Sequence, residues 1–118
     1  MYLVNIKISH KEGTKPVNEQ YLVEAICLTD IDVILAKEFK YYSVNSTKVS
    51  NYQKVFENGE GSFFEIKLLV DDIDGKVVKE SFLQEAVDND DARVRFRTNV
   101  DYGTILDVVS KPILGVVR

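Results

Sequence analysis

Two stretches of this chain, about 60 residues apart, carry one pattern, and an internal repeat constrains a fold more tightly than composition does. At an offset of 60, Val4-Asn5-Ile6-Lys7-Ile8 lies on Phe64-Glu65-Ile66-Lys67-Leu68. At an offset of 61, Lys15-Pro16-Val17 lies on Lys76-Val77-Val78. The same offset sets Glu19-Gln20-Tyr21-Leu22-Val23-Glu24-Ala25 on Glu80-Ser81-Phe82-Leu83-Gln84-Glu85-Ala86. It also matches Asp30 with Asp91 and Val33 with Val94. The change of one residue falls where a hairpin loop would absorb it. Beyond these strands Ile31, Leu35 and Phe39 recur at i, i+4 and i+8, as do Ala92, Phe96 and Val100. That spacing is one face of a helix.

The expectation is therefore an α+β fold made by tandem duplication of a ββαβ unit. Residues 1–57 and 62–118 are the two copies, joined at Asn58-Gly59-Glu60-Gly61 into one domain. Strands are expected over 2–9, 15–27 and 43–50 (extendable to 56), then over 62–70, 76–87 and 104–117, with Pro112 confining or breaking the last. Helices are expected over 29–39, capped by Thr29, and over 90–100, capped from Asp88, Asn89 or Asp90. Arg93-Val94-Arg95-Phe96-Arg97 alternates like a strand, yet its counterpart has helical spacing, so helix is expected there. One mostly antiparallel sheet with both helices on one face would cover each helix's apolar stripe.

With 118 residues, 45% hydrophobic and 29% charged, the chain is long and apolar enough to form a core. A net charge of -4 disfavours a non-specific nucleic-acid binder. A single cysteine, Cys27, excludes an intrachain disulfide and a cysteine-rich zinc site, which suits a reducing compartment. No apolar run nears a membrane span, and the first residues read as a strand rather than a signal peptide, so a cytoplasmic location and no membrane contact are expected.

Candidate chemistry is sparse. His10 falls in Ser9-His10-Lys11-Glu12-Gly13, read as a turn, without a visible nucleophile or orienting carboxylate. Cys27 reads as a small hydrophobe with no basic neighbour to activate it. Asp71-Asp72-Ile73-Asp74-Gly75 resembles the opening of a calcium loop but fails its register, and reads as a hairpin turn. No metal and no cofactor are expected.

Two clusters could contact an anion or a nucleic acid. Arg93, Arg95 and Arg97 sit on one helix, as an anion surface or, more plainly, as a solvated face with local ion pairs. Lys40, Tyr41, Tyr42, Lys48, Tyr52 and Lys54 interleave aromatics with lysines, as strands that stack bases do. Their plainer reading is that half-buried tyrosines suit strands.

The strand Glu19-Gln20-Tyr21-Leu22-Val23-Glu24-Ala25, followed by an acidic helix start at Thr29, resembles a domain-of-unknown-function family, number 4494, of bacterial and bacteriophage proteins. Asn51-Tyr52-Gln53-Lys54-Val55-Phe56 answers to that family's Lys-x-Tyr segment with its apolar-aromatic end, Asn51 standing where the family has Lys. The likeness covers most of residues 2–56 and, more loosely, the second half; the arginine-bearing second helix departs from the family's acidic one. The resemblance implies a phage or mobile-element setting inside a cell, and no catalytic motif. The expected function is a non-catalytic binding or adaptor module acting through a protein partner, with an accessory nucleic-acid-binding factor as the alternative and an enzyme third. Sheet edges leave room for a homo-oligomer.

Overall fold

The computed structural model describes residues 2–12, 15–71 and 74–118. In chain order the elements are β1 (Tyr2–Glu12), β2 (Lys15–Ala25), α1 (Ile31–Glu38), β3 (Tyr42–Val49), β4 (Tyr52–Phe56), β5 (Ser62–Asp71), β6 (Val77–Ala86), α2 (Asn89–Asn99), β7 (Thr104–Lys111) and β8 (Ile113–Val117). A turn of 3-10 helix, Leu28–Asp30, leads into α1. The protein is α+β, mostly strand with two helices. Residues 90–97 are helical despite their alternating pattern.

The single sheet expected from the sequence is replaced by two four-stranded mixed sheets, ordered β3-β1-β2-β8 and β4-β6-β5-β7. The chain divides into two compact units: Met1–Asn51 with Ile113–Arg118, and Tyr52–Pro112. In each unit three strands pair antiparallel and a fourth, short strand adds in parallel: β8 beside β2 in the first, β4 beside β6 in the second. The last strand of each sequence half thus lies in the sheet of the other half's first two strands. Residues 43–56 are not one strand, because the chain leaves one sheet after Val49 and enters the other at Tyr52. Pro112, which has no N–H for a ladder, marks the matching break between β7 and β8. Asn58–Gly61 joins β4 to β5 inside the second unit, so it is an internal loop and not a joint between units.

The two sheets share one register. Adding 60 to β1 and 61 to β2 turns the pair Ile6↔Tyr21 into Ile66↔Phe82. The irregularity between Lys7 and Ile8, against β3, recurs between Lys67 and Leu68, against β7. Among the parallel strands, Gln20↔Ile113 corresponds to Ser81↔Tyr52 and Leu22↔Val116 to Leu83↔Val55. The irregularities of the antiparallel pairs fall on β3 and β7, each an edge strand of its sheet, where a bulge hinders further pairing.

Each helix lays its apolar stripe on its own sheet. In the first unit Ile31 and Leu35 pack with Val4, Ile6, Ile8 and Val23. In the second Ala92, Phe96 and Val100 pack with Ile66, Leu68 and Phe82. The caps differ. Asp88 accepts a hydrogen bond from the Asp91 N–H at 2.8 Å, while Asp91 accepts one from the Val87 N–H at 3.0 Å, a reciprocal cap on α2. The Val87 N–H first, and Arg95 second, hold the Asp91 carboxyl below its ordinary range. Thr29 does not cap α1 as expected: its hydroxyl bonds the Cys27 thiol at 3.1 Å, and Asp30 stands at the cap without a side-chain bond.

Candidate functional site

β1 and β2 place residues 4, 6, 8 and 10 beside 17, 19, 21, 23 and 25 on the face that α1 covers, because side chains alternate along a strand. Most of these are core. At the far end of the hairpin the apolar run gives way to a polar cluster. His10 lies within β1, not in a turn, and its Nε2 bonds Glu19 Oε1. The Tyr21 hydroxyl donates to Glu19 Oε2 at 3.0 Å, so one carboxylate fixes both rings. Phe39, where α1 ends, has its ring 5.6 Å from His10, 5.1 Å from Tyr21 and 6.0 Å from Tyr42. The orienting carboxylate that the sequence did not reveal is thus Glu19, diagonal to His10 across the hairpin.

Beside this cluster opens a cavity of about 700 Å³, within the range of small-ligand and side-chain pockets, lined by Ser9, His10, Pro16, Lys40, Tyr41, Tyr42 and Ser43. Tyr41 is 79% exposed, the lip of the opening. The matching positions of the second unit hold Val70 for His10, Phe82 for Tyr21, Val100 for Phe39 and Gly103 for Tyr42, with Glu80 answering Glu19. The same register forms there with three apolar side chains and a glycine, so the fold does not require the His-Tyr-Tyr arrangement.

A histidine held by a carboxylate is part of a general-base arrangement, which also needs a hydroxyl or water at the other ring nitrogen. The adjacent hydroxyl, Ser9, is tied elsewhere: it donates to Asn18 Oδ1 at 2.5 Å and accepts from Asn45 Nδ2 at 2.7 Å. The cavity presents an imidazole, an ammonium, two phenols and hydroxyls.

The structure brings together only part of the other candidates. Lys40, Tyr41 and Tyr42 meet at this cavity. Lys48 is exposed on β3, whereas Tyr52 and Lys54 lie on β4 in the other sheet, so the six do not form one Tyr/Lys strand. Lys54 Nζ stands 5.5 Å over the Phe56 ring. Each arginine of α2 has a local partner. Arg93 donates to Asn89 Oδ1 at 3.2 Å, and Arg95 pairs with Asp91 at 2.7 Å. Arg97 donates to the carbonyls of Tyr102 and Gly103 at 2.9 and 2.8 Å, tying the chain beyond the helix. Cys27 is exposed and not a buried hydrophobe; the Thr29 hydroxyl, then its N–H, draws the thiol below its ordinary range. Asp72 and Ile73 of the acidic turn lie outside the described residues. Among the described residues no group of three or more His, Cys, Asp or Glu could hold a metal, and no helix is long and apolar enough to cross a membrane.

Tyr52 is held by burial first, and by the Glu65 carboxylate second, so that its phenol is pushed up from 10.0 to about 12. A raised acid stabilises the native state while neutral. Stability should therefore hold up to about pH 10 and fall as pH rises towards 12, a loss that Tyr52→Phe should abolish. Melting temperatures of both proteins across that range check this; parallel curves would mean that Tyr52 ionises in the folded protein as it does in the unfolded one.

The whole fold, from residue 2 to residue 118, matches one family model, Domain of unknown function (DUF4494). The chain belongs to the DUF4494 family. No curated protein and no solved structure matches it. In this DUF4494 chain Glu19 holds His10 and Tyr21 together beside the cavity. Sequence reasoning passed over Glu19, Tyr21 and Phe39. The usable signal was hairpin register: closing β1 on β2 at Glu12↔Lys15 sets His10 opposite Val17 and Glu19 one diagonal step away.

Proposed function

We propose that this protein is a non-catalytic binding module that engages a protein partner through the Lys40-Tyr41-Tyr42 lip of the first unit. The observation that carries this is Tyr41, 79% exposed at the mouth of a cavity whose wall is already ordered by Glu19. Exposed tyrosines beside a pre-ordered pocket are the usual anchors of protein interfaces, since they add contact area with little loss of side-chain freedom. The net charge of -4 speaks for a protein and against a bare phosphate backbone as the main partner. A phage or mobile-element origin, as the family resemblance implied, and action in a reducing cytoplasm go with an exposed, single thiol.

The two units are read as products of one tandem duplication whose copies exchanged their fourth strands. The shared offsets of 60 and 61, carried through ladders and irregularities alike, support it. On that reading the polar cluster is a later specialisation of the first copy.

The test is affinity purification from the native cell, with and without nuclease, using wild type and a Lys40→Ala, Tyr41→Ala double variant. The expected result is a nuclease-resistant partner lost by the variant, with an unchanged melting temperature, because both side chains are exposed. A partner released by nuclease, or kept by the variant, would overturn the assignment.

A further inference from the structure

The second unit has a polar cavity of its own, of about 460 Å³, at the foot of α2. Its floor is Gln84, a β6 residue only 2% exposed and the one buried polar residue among the described core. The first unit has Val23 at that position, fully buried in the same register. A carboxamide thus replaces a valine at a place where the fold is satisfied by valine. Gln84 makes one ordinary and one long hydrogen bond: Nε2 donates to the Glu85 carbonyl at 2.9 Å, and Oε1 accepts from Asn99 Nδ2 at 3.4 Å. An amide has two donors and a carbonyl with two lone pairs, so Gln84 retains one N–H and one lone pair for a ligand.

Asn58, Thr98 and Asn99 add polar groups to the walls, and Phe56 adds an apolar one. Arg95 and Glu57 both border the cavity, and Arg95 is already paired with Asp91 through Nε, so the site has no surplus positive charge for a free anion. Carboxamides lining a space of about 460 Å³ can present a donor beside an acceptor. That edge is complementary to the N–H beside C=O or ring nitrogen of a nucleobase, as Asn and Gln pair with adenine.

We propose that the Gln84–Asn99 cavity binds a nucleobase, from a free nucleotide or from an unpaired base of single-stranded nucleic acid. This site is separate from the Tyr41 lip in its residues and in its test.

The experiment is calorimetric titration of the full chain with adenosine, uridine, the corresponding monophosphates, ribose 5-phosphate and short single-stranded oligonucleotides. Wild type is compared with Gln84→Val, which installs the first unit's residue, and with Asn99→Ala at an exposed position. Saturable binding of nucleosides or of oligonucleotides is expected, weakened at least about tenfold in both variants, as when a polar partner is removed. The Gln84→Val protein should melt no lower than wild type, since a buried polar group gives way to an apolar one of lesser demand. Binding of oligonucleotides alone would assign the base to a strand, and binding of nucleosides a free nucleotide. Equal binding of ribose 5-phosphate, undiminished affinity in the variants, or no saturable binding of any base-bearing probe at millimolar concentration would overturn the proposal.

Discussion

Phe96→Ala is expected to cost about 3–5 kcal/mol, the range for removing a buried aromatic ring. Phe96 is fully buried on α2 and stands where three elements meet in the second unit. Its ring packs edge-on to Phe82 of β6 at 5.2 Å and to Phe56 of β4 at 6.2 Å. Removing it takes away the helix's largest anchor and strips two aromatic neighbours of a partner, and such pairs contribute beyond their buried area. Leu35, its counterpart on α1, is equally buried but lies in a cluster whose buried members are all aliphatic, so Leu35→Ala should cost about 2–5 kcal/mol. Denaturant titration gives both numbers. Amide exchange should locate the first loss in β5 and β6 and the second in β1 and β2, since each helix packs on its own sheet. A Phe96→Ala loss within about 0.5 kcal/mol, the range of surface changes, would mean that α2 does not anchor this core.

Both positions were legible in the sequence because helix period and internal offset agreed on them. The same agreement settled α2, whose arginines alternate like a strand; Ala92, Phe96 and Val100 decided it, and Phe96 and Ala92 are fully buried. Topology was not legible. Nothing in residues 43–56 distinguishes a long strand from two short ones in different sheets, because the exchange depends on which edge each strand reaches and not on its own pattern. Ser50-Asn51 is a weak break where Pro112 is a strong one. The candidate site was half legible. Lys40, Tyr41 and Tyr42 stood out by type, whereas Glu19 was absorbed into the repeat as one of two matching glutamates. Its role depends on His10 being opposite Val17, which is a matter of register. Gln84 was invisible for a related reason: a glutamine in a strand reads as solvent-facing until the register turns it towards the helix. The arginines meet the plainer expectation of local pairing: Arg93 reaches Asn89, Arg95 the i, i+4 acid Asp91, and Arg97 a set of carbonyls beyond the helix.

Gly61→Ala should be as severe as a core truncation, although the residue is exposed. Gly61 has φ +91, a backbone state that residues with a Cβ rarely adopt. A Cβ there would also fall 2.0 Å from the Ala86 carbonyl oxygen and 2.4 Å from its carbon. These are backbone atoms at the end of β6, one residue before Val87, whose N–H completes the α2 cap. No rotamer can relieve such a clash. Either the loop or the β6 terminus must move, and the Ser62↔Ala86 pair that opens the β5–β6 ladder lies directly beside it. Strain in such a backbone state costs about 1–3 kcal/mol, to which the displaced ladder end and cap add. Gly59, two residues earlier, separates the two effects: it has φ +76 but nothing within 4 Å of its would-be Cβ. Gly59→Ala should therefore cost only the conformational part, about 1–2 kcal/mol. The Asn58 and Gly59 N–H groups, which donate to Glu85 Oε1 at 2.8 and 2.6 Å, should keep the loop in place in that variant. Thermal denaturation of the two variants side by side gives the difference. Equal losses would show that the close approach to Ala86 relaxes freely and that Gly61 matters for its dihedral angle alone.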